Sequence, residues 1–95
     1  MQIMLVGSNY RTAPVEVRER FSFAEQDLPV ALRDLVGASF VKEGMIVNTC
    51  NRTEIYTITD HPHGCGSFIR GFLEKWFDVS RAEFNAHLYT KQEQV

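Results

Sequence analysis

With 95 residues, 44% of them hydrophobic and 23% charged, the chain has the composition of one compact globular unit, without the proline-, serine- or charge-rich tracts of a disordered linker. A formal net charge of −2 and a pI of 5.9 give no basic surplus of the kind that marks a general nucleic-acid binder. The apolar start, Met1–Val6, lacks a basic flank and is interrupted by Gly7-Ser8-Asn9-Tyr10-Arg11 too early for a signal-peptide core or membrane span, so a cytoplasmic protein with no membrane partner is expected.

In chain order, Gln2 to Asn9 reads as a strand rich in Ile, Leu and Val, broken by Thr12-Ala13-Pro14. Pro14 suits the first position of a short helix through Arg20, with Thr12 or Ala13 near its cap. Leu28, Ala31, Leu32 and Leu35 recur at helical spacing and predict a second helix over Glu25 to Val36, capped by Ser22 and stopped at Gly37. Two β-rich runs, Gly44 to Asn48 and Glu54 to Thr59, flank Thr49-Cys50-Asn51-Arg52 and predict a hairpin.

The segment Asp60-His61-Pro62-His63-Gly64 then reads as a loop, after which Phe68, Ile69, Phe72, Leu73, Trp76 and Phe77 form one apolar helical face. Ser80 caps a short helix through Phe84, and His87 to Thr90 reads as a short last strand. The resulting order, β-α-α-β-β-α-(α)-β, predicts an α+β fold: a ferredoxin-like split βαβ arrangement, with an antiparallel sheet and helices packed on one face.

The densest chemical signal is Asn48-Thr49-Cys50-Asn51-Arg52-Thr53-Glu54-Ile55-Tyr56. Cys50 and Cys65 are both expected as free thiols in a reducing compartment, but they sit in different company. A structural cysteine usually lies among aliphatic neighbours, whereas Cys50 is bracketed by threonine, asparagine and arginine at a turn. Arg52 places a permanent positive charge near that thiol, which favours thiolate and also suits a substrate carboxylate. The packing alternative is a buried thiol beside an Arg52–Glu54 ion pair.

The segment Thr49-Cys50-Asn51-Arg52-Thr53-Glu54-Ile55-Tyr56 resembles the signature of glutamyl-tRNA reductases around their nucleophilic cysteine. The opening Gly7-Ser8-Asn9-Tyr10-Arg11-Thr12-Ala13-Pro14-Val15-Glu16-Val17-Arg18-Glu19 is similar to that family's N-terminal motif, which often carries histidine and lysine where Tyr10 and Arg11 stand. The resemblance covers essentially the whole chain. It implies one N-terminal catalytic unit over residues 1–95, with Cys50 as the nucleophile that takes the glutamyl group of glutamyl-tRNA as a thioester. Thr49, Asn51 and Arg52 match substrate-binding positions, with Arg52 best suited to the glutamyl side-chain carboxylate.

By the same resemblance, NADPH reduces the thioester to glutamate-1-semialdehyde, the precursor of 5-aminolevulinate and the tetrapyrroles, in a complete enzyme that is a homodimer. The cofactor and dimerisation domains are expected outside this chain, which has no Gly-x-Gly-x-x-Gly between a strand and a helix and is expected to bind no cofactor itself. The fragment alone is not expected to complete the reduction. The family's functional histidine, in a His-Leu-Phe segment, is expected just beyond Val95, and His87 is read instead as a partly exposed strand residue.

Other clusters invite weaker readings. His61, His63 and Cys65 alternate like ligands on an extended loop, but a fourth ligand is lacking, so no metal is expected. Phe68, Phe72, Trp76 and Phe77 have the spacing of core rather than of a base-stacking platform. The reading that competes with an enzyme is a stand-alone ferredoxin-like binding or thiol-sensing module in which no acyl transfer occurs.

Overall fold

Alternation along the first strand decides how the sheet is used. In β1 (Gln2–Asn9), Met4 and Val6 turn into the core, while Ile3, Leu5 and Gly7 turn to the opposite face. The computed structural model, described over residues 1–94, places this strand inside a four-stranded sheet of order β2-β3-β1-β4. The other strands are β2 (Glu43–Asn48), β3 (Arg52–Thr59) and β4 (Tyr89–Gln94), and all neighbours are antiparallel. Two interleaved β-α-β crossovers generate that order, so the α+β, ferredoxin-like expectation holds.

The helices are α1 (Val15–Arg20), α2 (Leu28–Val36), α3 (Pro62–Phe77) and α4 (Arg81–Phe84). The sequence predicts one helix from Glu25, capped by Ser22, but Glu25–Asp27 is a separate 3₁₀ turn led by Ala24. Pro29 explains the break, because its ring collides with the carbonyl four residues back in an α-helix, which is that of Glu25. The loop expected over Asp60 to Gly64 is largely the first turn of α3, with Pro62 at the position where a missing N–H costs nothing. Asp78 ends α3 in the left-handed region, and the Ser80 hydroxyl caps α4 by accepting from Glu83 N at 3.3 Å, as its position predicts.

The core lies between the helices and one face of the sheet. Met4, Val6 and Ile55 meet Leu35, Ile69, Phe72 and Leu73 there. An aromatic cluster closes its end, with Phe21 edge-on to Phe84 at 5.4 Å and Phe23 against Phe77 at 4.8 Å. Phe72 is buried and Phe68, Trp76 and Phe77 pack partly buried around this core, the role their spacing predicts. Among the described residues no helix is long and apolar enough to cross a membrane.

The opposite face carries no helix in the described residues, and it presents Ile3, Leu5, Met45, Glu54, Tyr56, Ile58 and Tyr89 in register. β4 begins at Tyr89 rather than His87 and runs on to Gln94. As an exposed edge strand of Thr-Lys-Gln-Glu-Gln it has no apolar alternation to announce it.

Candidate functional site

The hairpin joining β2 and β3 is shaped by Thr49. Its N–H donates to Arg52 O at 2.8 Å, and its hydroxyl oxygen accepts from Asn51 N and Arg52 N, both at 3.2 Å. A three-residue bend, Thr49, Cys50 and Asn51, is thereby held between the strands. Asn48 anchors the bend from below: its side-chain oxygen accepts from Phe23 N at 3.0 Å, and its NH2 group donates to Phe23 O at 2.9 Å. At the apex Cys50 is an exposed free thiol, while Cys65 is fully buried. The packing alternative required a buried Cys50, and that half of it is not what the fold provides.

Arg52, Glu54 and Tyr56 follow on alternate positions of β3 and share the helix-free face of the sheet. Glu54 is buried at 5% exposure despite lying on that face. Three side chains enclose its carboxylate: Tyr56 OH donates at 3.0 Å, Tyr89 OH donates to the other oxygen, and the Arg52 guanidinium stands at 3.5 Å. Burial first, and then the adjacent Glu54 carboxylate, raise the Tyr56 and Tyr89 hydroxyls above the ordinary tyrosine range.

The enclosure depends on Gly7. The pairing register sets Glu54, Gly7 and Tyr89 in one cross-strand row, with glycine in the middle. A Cβ at Gly7 would lie 2.8 Å from Glu54 Cγ and 2.8 Å from the Thr53 carbonyl oxygen, so the row closes only over a residue without a side chain.

The same register pairs Asn9 with Arg52, which brings the Gly7–Glu19 motif and the Thr49–Tyr56 motif to one end of the sheet. There the loop from β1 to α1 is pinned by Asn9, whose side-chain oxygen accepts from Arg11 N at 2.9 Å and Thr12 N at 3.1 Å. His87 is not a strand residue; it lies in a 3₁₀ turn, half-buried, with its ring Nδ1 3.1 Å from Thr12 O. Anchoring of this loop is the contact the structure gives it.

His61, His63 and Cys65 are not brought together. His61 precedes α3, His63 is exposed in its first turn, and Cys65 turns into the core against the Thr57 hydroxyl at 3.2 Å. The alternation seen in the sequence belongs to a helix, not to an extended loop. Among the described residues no group of three His, Cys, Asp or Glu side chains is placed to hold a metal ion.

The Arg52–Glu54 pair is legible in the sequence, whereas the parts of Gly7 and Tyr89 are not. A glycine inside an otherwise largely aliphatic strand is the available signal, since it marks close approach of another group.

A sequence-family model described as Glutamyl-tRNAGlu reductase, N-terminal domain, matches residues 6–95. A glutamyl-tRNA reductase of Paenibacillus macerans is 60% identical over 94 residues, covering 99% of this chain and 22% of that protein. One from Priestia megaterium is 47% identical over 88 residues, covering 93% of this chain and 20% of that protein. Another from Halalkalibacterium halodurans is 44% identical, with 97% of this chain and 20% of that protein covered. The chain thus spans about a fifth of the length of these relatives. By the family match and these identities, the chain belongs to the N-terminal domain family of glutamyl-tRNA reductases.

Proposed function

We propose that this chain is the thiol-bearing catalytic unit of a glutamyl-tRNA reductase, taking the glutamyl group of glutamyl-tRNA onto Cys50 on the route to tetrapyrroles. The observation that carries the reading is the exposed Cys50 thiol in a bend whose hydrogen bonds also set Arg52 at the start of β3. In the proposed step the Cys50 thiolate attacks the ester carbonyl and forms an S–C bond. The bond from that carbon to the terminal ribose oxygen breaks, and the oxygen leaves with the electron pair and takes up a proton. The product thioester is less resonance-stabilised than the ester and accepts hydride more readily.

The neighbours divide the recognition work by what their atoms have left to offer. Arg52 turns Nη1 toward Glu54, so its remaining N–H groups are available for the glutamyl side-chain carboxylate. Glu54, fixed by Tyr56 and Tyr89, acts as the positioning residue for that guanidinium. The Thr49 oxygen already accepts two backbone N–H groups, so in this turn its hydroxyl can serve a substrate only as a donor. Asn51 is exposed beside Cys50 and completes the proposed contacts.

NADPH does not fit the described residues. The sheet is antiparallel, and neither strand-to-helix junction, at Tyr10–Pro14 or at Asp60–His61, offers the glycine-rich turn that cradles a dinucleotide. On this proposal, reduction of the thioester falls to the length of the relatives that this chain does not span, and homodimer formation belongs to the complete enzyme.

Protection tests the reading. Incubation with glutamyl-tRNA followed by removal of the RNA should leave Cys50 shielded from iodoacetamide, whereas the same treatment with uncharged tRNA plus free glutamate should not. Equal alkylation under both conditions would count against acyl transfer and favour a thiol-sensing module.

A further inference from the structure

The loop beside Cys50 holds Arg11, a cation to which the described residues bring no carboxylate within 4.0 Å. Arg52 is paired with Glu54, Arg20 with Glu83 at 3.2 Å, and Arg18 donates to the Ala13 carbonyl at 3.2 Å. Arg11, like Arg18, has no carboxylate within 4.0 Å among the described residues, but Arg18 is half-buried against that carbonyl whereas Arg11 is exposed. Its guanidinium instead lies 5.5 Å from the centroid of the Tyr10 ring, and its Nε donates to the Tyr10 hydroxyl at 3.0 Å. Tyr10 is 52% exposed, and Arg11 is exposed as well.

The position of this pair is fixed. Asn9 accepts the Arg11 and Thr12 amides, Thr12 Oγ1 accepts Asn9 N at 2.9 Å, and the pairing of Asn9 with Arg52 sets the loop next to the Cys50 bend. An acyl ester that reaches Cys50 carries its terminal nucleotide with it, so an anionic, stacked end of RNA must lie within a few ångströms of this bend. An exposed aromatic ring beside this guanidinium supplies what such an end requires: a face for a base and free N–H donors for a phosphate.

We infer that Tyr10 and Arg11 form the contact for the single-stranded 3′ end of the tRNA, with Tyr10 stacking on a base and Arg11 holding a phosphate. The inference rests on the reading of glutamyl-tRNA as the substrate. It also gives an acidic chain a local surface for RNA, which the overall charge of −2 does not.

The test is separate from acyl transfer. Fluorescence anisotropy would follow an uncharged acceptor-stem RNA minihelix with a single-stranded 3′ tail, and a blunt one without it, binding to the Cys50→Ser chain. Arg11→Ala should weaken binding of the tailed RNA about tenfold and lower the slope of log affinity against log salt by about one. Arg11→Lys should restore most of the salt dependence, and Tyr10→Phe should bind better than Tyr10→Ala. Tailed and blunt RNA bound alike, or Arg11→Ala and Tyr10→Ala indistinguishable from their parent, would overturn the inference. Neither result would bear on whether Cys50 accepts a glutamyl group.

Discussion

Tyr89 on β4 reaches Glu54 on β3 over the top of Gly7, and the hydrogen bond between them spans a strand that lies in between. Strands two apart are separated by roughly 10 Å, a gap that two long side chains close only if the middle residue presents nothing above the sheet. Gly7→Ala should therefore push Glu54 aside, because one of the two atoms its Cβ meets at 2.8 Å is a backbone oxygen that cannot swing away. A loss of about 1–3 kcal/mol in urea unfolding is expected, together with the loss of Arg52 placement. An alanine variant of unchanged stability and substrate affinity would show that the row tolerates a side chain.

The raised hydroxyls of Tyr56 and Tyr89 give a pH signature. Their folded pKa lies above the unfolded value, so the native state holds more protons in the alkaline range. The associated stability is fully present below about pH 10 and is lost as pH rises through the folded value. Urea midpoints above pH 10 should fall less steeply for Tyr89→Phe than for the wild type, and parallel curves would contradict the raised Tyr89 hydroxyl, which burial and then Glu54 produce.

The anchoring of Arg52 predicts a split in kinetic effects. On the proposed carboxylate contact, Arg52→Lys keeps the charge but loses the planar fork, and removal of a charge-assisted hydrogen bond of about 1.5–3 kcal/mol corresponds to a roughly ten- to hundredfold higher half-saturating glutamyl-tRNA concentration in single-turnover acylation. Glu54→Gln should raise that concentration by less, because the amide still fills the space between the tyrosines. A change in the maximal acylation rate alone, with the half-saturating concentration unaltered, would place Arg52 elsewhere in the mechanism.

The two thiols should differ sharply. Cys50 is exposed at a turn, and Cys65 is sealed in the core against Thr57, so iodoacetamide at neutral pH should modify Cys50 in the native chain and spare Cys65 until it unfolds. Peptide mapping after brief labelling reads this directly, and comparable labelling of both residues would contradict the placement of Cys65.

Most of the fold is legible in the sequence where one physical rule acts alone. The aliphatic run of β1, the apolar stripe of α3 and the Ser80 cap each follow from periodicity or local hydrogen bonding. The misplacements fall where two rules compete. Pro29 confines the α-helix to Leu28–Val36 and leaves Glu25–Asp27 as a 3₁₀ turn, Pro62 opens a helix inside what reads as a loop, and the polar edge strand β4 has no pattern to detect. The Cys50 bend is visible as a motif, but the Glu54 enclosure is not, because its parts come from three strands and are joined by register. No local rule supplies that register.

The most direct measurement is the intact mass of the chain after incubation with glutamyl-tRNA, run beside Cys50→Ser. One hydroxylamine-labile glutamyl adduct on the wild type, and none on the serine variant, is the predicted result. No adduct on the wild type, when a full-length relative is acylated under the same conditions, would contradict the claim that this chain carries out acyl capture by itself. An adduct that persists in Cys50→Ser would contradict the assignment of the nucleophile.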